Sequence, residues 1–302
     1  MKNIISFVLS VVIVSYACMA LCKEAANCKP PLYGWYEGSP ESLMNQINSF
    51  FSKIKEGEVK GKVWALIVPH AGYRYSGQAA AYGYKLLQNQ DYQRIIIIGP
   101  SHYVGFYGIS FSKFDGYKSP LGTMEIDQTA YKSLSQNPLF TLIEEADEQE
   151  HSIAIQVPFL QKTVRKAKIV PLIVGDLKKE DYQKVAESIL SIMDDKTLIV
   201  VSSDFTHYGF NFGYIPFSDN IKDNIRKLDF GAIDKIIDHD FKGFLEYQEQ
   251  TGATICGYRP VAILLKMLPK DVKGEVLKYY TSGDLIGDYR NSVSYACIGF
   301  FK

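Results

Sequence analysis

Four stretches of this chain are unbroken apolar runs: "VWALIVP" (63–69), "RIIIIG" (94–99), "KIVPLIVG" (168–175) and "TLIVVSS" (197–203). A strand with one wet face alternates apolar and polar residues, because successive side chains point to opposite faces. A run without alternation is a strand covered on both faces, which is the situation in a sheet sandwiched between helices. Helical patterns fill the intervals, at 41–55, 77–89, 127–136, 151–165, 179–193, 219–237 and 259–268. Three more strands are predicted at "GISFS" (108–112), "VLKYYTS" (276–282) and "SVSYACIGFF" (292–301). The alternation implies an α/β layered fold with a sheet that is largely parallel in its middle. No linker interrupts residues 40–302, so 30–302 is read as a single domain.

Composition narrows the function. The 302 residues are 47% hydrophobic and 22% charged, with a formal net charge of zero. That is enough apolar material for a large core, and it lacks the positive excess that nucleic-acid or polybasic membrane binding requires. The N-terminus stands apart. Lys2 precedes "IISFVLSVVIVSYA", which is short for a spanning helix, with small residues at Ser15, Ala17 and Ala20. This pattern predicts a signal peptide over 1–22 and an exported protein, periplasmic or extracellular, the other reading being an uncleaved N-terminal anchor. An acyl chain on Cys18 or Cys22 would instead tether the protein to a membrane. Three of the five cysteines (Cys18, Cys22, Cys28) crowd this segment, and Cys256 and Cys297 do not by themselves form a disulfide framework.

The histidines are placed unevenly. "ALIVPHAGY" puts His70 just past a buried strand, "IIIIGPSHY" does the same for His102, and "LIVVSSDFTHY" delivers Asp204 and His207. Ligand sites in open α/β sheets lie at the carboxyl ends of the strands. Converging imidazoles with a carboxylate or thiolate suit a transition metal, and two histidines with one anionic ligand is the arrangement of non-haem Fe(II) oxygenases. His151, in "DEQEHSIAIQVPFL", opens a helix behind an acidic cluster, either as a general acid/base or as a solvent-facing helix-start residue. Cys256, in "TGATICGYRP", lies on a tight loop where a thiol can approach a metal, act as a nucleophile or be structural. His239 is expected on the surface and Cys297 in the core. In "HAGYRYSG", Ser76 is expected to cap a helix starting near Gly77. Arg74 is placed to meet an anionic substrate group at that helix start, with Tyr73 and Tyr75 lining the pocket.

Six blocks occur together: "VPHAGYRYSG", "IIIIGPSHY", "EHSIAIQVPFL", "VVSSDFTHYG", "TICGYRPV" and "GDYRNSVSYA". In that order the chain resembles the MEMO family, known in bacteria as AmmeMemoRadiSam system protein B, over roughly residues 30–302. The resemblance implies an αβα sandwich like that of class III extradiol dioxygenases. It implies metal contacts from His70, His102 and Cys256, with Asp204 and His207 beside them and His151 in the same pocket. Iron or copper is the implied metal, with zinc fitting less well. The chain departs from the family pattern at Tyr103, where a second histidine is frequent, and at Ala154, where an acid is frequent. A signal peptide is a further departure, and it would separate this protein from any cytosolic radical enzyme. Two function classes follow. One is a redox enzyme in which His70, His102 and Cys256 (or Asp204) hold the metal while His151 or His207 moves protons on a small molecule. The other is a binding module that grips a peptide or protein partner without chemistry. Three imidazoles and an acid also suit a zinc hydrolase.

Overall fold

The computed structural model describes residues 27–55 and 61–302, so the predicted leader over 1–22, with Cys18 and Cys22, lies outside the described residues. Among the described residues twelve strands occur in chain order: β1 (Cys28–Lys29), β2 (Val63–Val68), β3 (Arg94–Pro100), β4 (Ile109–Phe111), β5 (Gly116–Ser119) and β6 (Gly122–Glu125), then β7 (Phe140–Leu142), β8 (Lys168–Val174), β9 (Thr197–Ser202), β10 (His207–Gly209), β11 (Lys273–Thr281) and β12 (Asn291–Phe301). The main sheet runs β10-β12-β2-β9-β3-β8-β4-β7, with β11 paired to β12. Its centre, β2-β9-β3-β8, is parallel, and β12 and β4 border that centre antiparallel. The α/β expectation is met.

The four apolar runs are the four parallel strands, and Ile95 to Ile98 have no exposed surface at all. Each such side chain contributes about 1.5–3 kcal/mol by leaving water. Helices cover both faces. On β12, Cys297 faces Gly83 of the helix Tyr73–Lys85, while Phe300, three residues on, faces the helix Ile221–Ile237. The helix Tyr258–Met267 packs on β3 and β9, and Pro40–Ser52 and Val157–Thr163 pack on Tyr73–Lys85. Among the described residues no helix is long and apolar enough to cross a membrane.

Several boundaries differ from the sequence reading, each for a local reason. The helix expected from Gly77 begins at Tyr73 with Gly72 as its N-cap, and the Ser76 hydroxyl donates to Ala71 O at 2.6 Å instead of capping. The helix expected from 151 is a 3-10 turn at Ala154–Gln156 before the α-helix Val157–Thr163, where Pro158 in the first turn fixes the start. The helix Phe241–Thr251, opened by the Asp240 cap on Gly243 N, was not anticipated. Neither was a small sheet, β1-β5-β6. There Lys29, 2% exposed, puts its ammonium on Asp147 Oδ1 (3.0 Å) and on Asp147 O, while the Ser112 and Tyr117 hydroxyls serve Oδ2. That buried pair anchors the segment leading to Glu150 and His151.

Candidate metal centre

The carboxyl ends of β2, β3 and β9 lie side by side and hand their next residues to one place. His70 follows β2 by two residues, His102 follows β3 by two, and Ser203 and Asp204 follow β9 directly. The loop before the helix Val157–Thr163 adds Glu150 and His151, and the turn before Tyr258–Met267 adds Cys256. One ligand nitrogen from each of His70, His102 and His151 lies within 4.8 Å of the other two. The His102 and His151 rings stack with centroids 4.6 Å apart, and His70 meets both edge-on.

Hydrogen bonds dictate the tautomers. Ser202 Oγ donates its one proton to Ser152 O (2.6 Å) and accepts from Gln156 Nε2 (2.8 Å). Its remaining lone pair faces His70 Nδ1 at 2.9 Å, so Nδ1 carries the hydrogen and Nε2 keeps a lone pair. That Nε2 lies 3.0 Å from Cys256 Sγ. His102 Nδ1 lies 2.9 Å from Glu150 Oε1, and the ionised carboxylate only accepts, so His102 is also an Nδ1–H tautomer. His207 Nδ1 sits between the carbonyls of Phe205 (2.9 Å) and Thr254 (3.0 Å), with the same result. Such outer partners orient metal-binding imidazoles and raise their basicity.

Glu150 is 2% exposed and accepts four donors: His102 N (2.7 Å), His102 Nδ1, His151 N (3.0 Å) and Ser152 N (2.9 Å). Burial pushes its pKa up, but the His102 ring and the backbone N–H groups outweigh burial and hold it down at about 2. Burial, reinforced by His70, lowers His151 to about 3. Burial also drives His70 well below the ordinary imidazole value, with the neighbouring His102 adding to the effect. His70 and His151 are therefore neutral at pH 7, the protonation state a metal needs. Burial raises the Cys256 thiol, and the Asp204 carboxylate raises it further. Asp204, 3% exposed, accepts His70 N–H at 2.7 Å, and burial raises its pKa above the usual carboxylate value. Gly257 makes the Cys256 turn possible, because a Cβ there would collide with the Ser203 side chain.

The structure thus brings His70, His102, His151, Asp204 and Cys256 together, with His207 beside them. His151 is not a solvent-facing helix-start residue: it is 9% exposed and stacks on Trp35 with centroids 4.4 Å apart. Tyr103 stands at the rim, its hydroxyl 3.4 Å from His151 Nδ1. Tyr73, expected in a substrate pocket, is instead in the core, where its ring packs on Phe159 and its hydroxyl donates to Ile155 O (3.0 Å). Arg74 and Tyr75 are exposed on the helix's first turn, the guanidinium 5.8 Å from the Tyr75 ring centroid. His239 is half-buried at positive φ, its ring centroid 6.1 Å from that of Phe300, and Cys297 is fully buried. Sequence reasoning missed the roles of Glu150, Ser202, Gln156 and Trp35. The one available signal was an acid directly preceding His151.

A family model described as Memo-like protein matches residues 33–299. A protein from Xenopus tropicalis named Protein MEMO1 is 32% identical over 295 residues, covering 92% of this chain and 96% of the relative. The human protein of the same name is 32% identical over 293 residues, covering 91% and 96%. The Caenorhabditis elegans memo-1 homolog is 33% identical over 240 residues, covering 77% of this chain and 68% of the relative. Among solved structures, an uncharacterized protein from Escherichia coli K12 superposes with a TM-score of 0.54 at 12% identity, covering 80% of this chain and all of that one, a likeness of fold alone.

Proposed function

This chain belongs to the Memo family, and on that premise we propose that it is a metal-binding protein whose His70–His102–His151 cluster, with Cys256 at its edge, holds iron(II) or copper for redox chemistry of a dioxygenase-like kind. One observation carries the proposal: three imidazoles converge on one point, and hydrogen-bond partners fix the tautomers of two of them. The donor set fits. Neutral imidazole nitrogens and a sulfur suit iron, copper or zinc, whereas magnesium and calcium prefer oxygen. The His70 Nε2 lone pair and the Cys256 sulfur, which are placed to share a proton, can share a metal ion instead. Bound there, iron or copper would supply one-electron redox chemistry and open positions for O2 or for a small anionic or phenolic ligand.

The protein's own groups have separate tasks in this reading. Ser202 and Glu150 orient His70 and His102. His207, with its proton fixed on Nδ1, offers Nε2 as a base, and Asp204 is the nearby carboxyl able to carry a proton. Trp35 covers one face of His151 and keeps water from it.

The test is elemental analysis of anaerobically purified protein beside His70→Ala, His102→Ala, His151→Ala and Cys256→Ser. Stoichiometric iron or copper in the wild type, lost in the histidine variants, is the expected result, with oxygen-dependent turnover the next assay. A wild-type protein that refuses added iron(II), copper and zinc would overturn the proposal. An exposed aromatic at the rim favours a second reading, a binding module for a peptide or protein partner: Tyr103, whose hydroxyl lies 3.4 Å from His151 Nδ1, is 54% exposed. That reading requires partner binding to survive His102→Ala. Export, with or without an acyl chain at Cys18 or Cys22, is proposed from the N-terminal apolar stretch. The intact mass of the cell-derived protein tests it, since an unprocessed N-terminus would refute removal of a leader.

A further inference from the structure

The loop Ser203–His207, which presents Asp204 and His207, has every backbone N–H tied to a different residue. Ser203 N donates to Val68 O (2.9 Å), Asp204 N to Cys256 Sγ (3.2 Å), Phe205 N to Ser294 O (2.9 Å) and His207 N to Thr254 Oγ1 (2.8 Å). The remaining donor, Thr206 N, goes to Asp229 Oδ1 at 3.0 Å. Asp229 is the anomaly. It has no exposed surface, and it sits inside the helix Ile221–Ile237 on the side that otherwise buries Ile225, Ala232, Ile233 and Ile236. Aspartate is a poor helix former, and a buried carboxylate is costly unless hydrogen-bonded. Here Tyr279 OH donates to Oδ2 (2.7 Å) and the Ser294 side chain adds a further bond. The mechanism proposed above gives this acid no task.

We propose that Asp229 is a positioning residue: its carboxylate, held from behind by Tyr279, fixes the Ser203–His207 loop and through it Asp204, His207 and the sulfur of Cys256. Asp229 touches none of the candidate metal ligands, so it acts only through the loop. The main measurement does not depend on the metal-binding reading.

Iodoacetamide modification, resolved by mass spectrometry, is followed at Cys256 and at Cys297. Cys297 is fully buried in β12 and reports general loosening. In Asp229→Ala, Cys256 should react at least about tenfold faster while Cys297 stays protected, the scale expected for losing one charge-assisted hydrogen bond. Asp229→Asn keeps an oxygen for Thr206 N and an NH2 that the Tyr279 hydroxyl can accept, so it should stay within about twofold of wild type. An unchanged Cys256 rate in Asp229→Ala, a rise shared with Cys297, or an Asp229→Asn rate matching Asp229→Ala would each overturn the proposal. If Asp229→Ala does not fold, Tyr279→Phe carries the test: faster reaction at Cys256 alone supports it, and no change overturns it. Cobalt(II) absorption spectra give a second readout. A wild type that binds no cobalt counts against the metal site and leaves the cysteine result standing.

Discussion

Replacing Glu150 by glutamine would test the electrostatic reading of the site most directly. Glutamine keeps the shape and mimics the protonated acid, but it presents an NH2 where Glu150 receives His102 Nδ1–H and three backbone N–H groups. The carboxyl is held at about 2 against an ordinary value of 4.5. By linkage, that depression is worth about 3 kcal/mol of folding stability at pH 7. The sign follows from the depressed value: the stabilisation is fully present above pH 4.5 and fades as pH falls toward 2. Urea denaturation of wild type and Glu150→Gln between pH 7 and pH 3 measures it. The difference should be about 3 kcal/mol at neutral pH and shrink to about half that at pH 3. A difference that stays constant over the range would show that Glu150 contributes by shape and not by charge, and would refute the argument. A metal titration on the same variant should show affinity lower by about 10–100-fold, because His102 would lose its orienting partner.

Gln156→Leu removes the amide that donates to Pro69 O and Ser202 Oγ and accepts from Tyr84 OH, so thermal or urea unfolding should show a loss of about 1–3 kcal/mol. Metal affinity should fall with it, and an unchanged affinity would remove Ser202 from the account of the His70 tautomer. The Cys256 thiol is raised by burial and by Asp204, so its alkylation should be slow at pH 7 and still accelerating at pH 9.0, the ordinary thiol value. A plateau below pH 8 would contradict the half-buried, uncharged thiol. Lys29→Met strips the buried ammonium from Asp147 and should cost about 3–5 kcal/mol in urea unfolding, with a loss below about 1 kcal/mol showing that the pair is not isolated from water.

The sheet's interior was legible because a strand covered on both faces has to be apolar at every position, and the Ile95–Ile98 run states this without ambiguity. The convergence of His70, His102, Asp204 and His207 was legible for a related reason: each sits within a few residues of the end of such a strand. The partners that make the site chemically specific were not. Glu150 works through backbone amides and one imidazole, an arrangement with no periodic trace, and its place in an acidic stretch pointed to helix electrostatics instead. Gln156 and Ser202 read as unremarkable polar residues, and only the folded chain sets one amide against one hydroxyl. Trp35 lies far along the chain from His151, among prolines and glycines that carry no helix or strand pattern. The strands of the small sheet run from two to four residues, too short for alternation to be seen. The shift of a helix start from Gly77 to Tyr73 moved Tyr73 from a loop to a helix face, and so from pocket to core.

β12 follows all the other strands of the described residues yet lies inside the sheet, between β2 and β11. Between Val68 and Asn291 the ribosome must add roughly 220 residues, on the order of tens of seconds of synthesis, during which the apolar edge of β2 waits for its neighbour. An unpaired edge of that kind is a template for pairing with other chains, so a nascent molecule is open to misassembly there until β12 arrives. The same late strand carries Ser294, whose backbone exchanges hydrogen bonds with Phe205 and Thr206. The loop that carries Asp204 and His207 is therefore left without that support until β12 has been made and has paired.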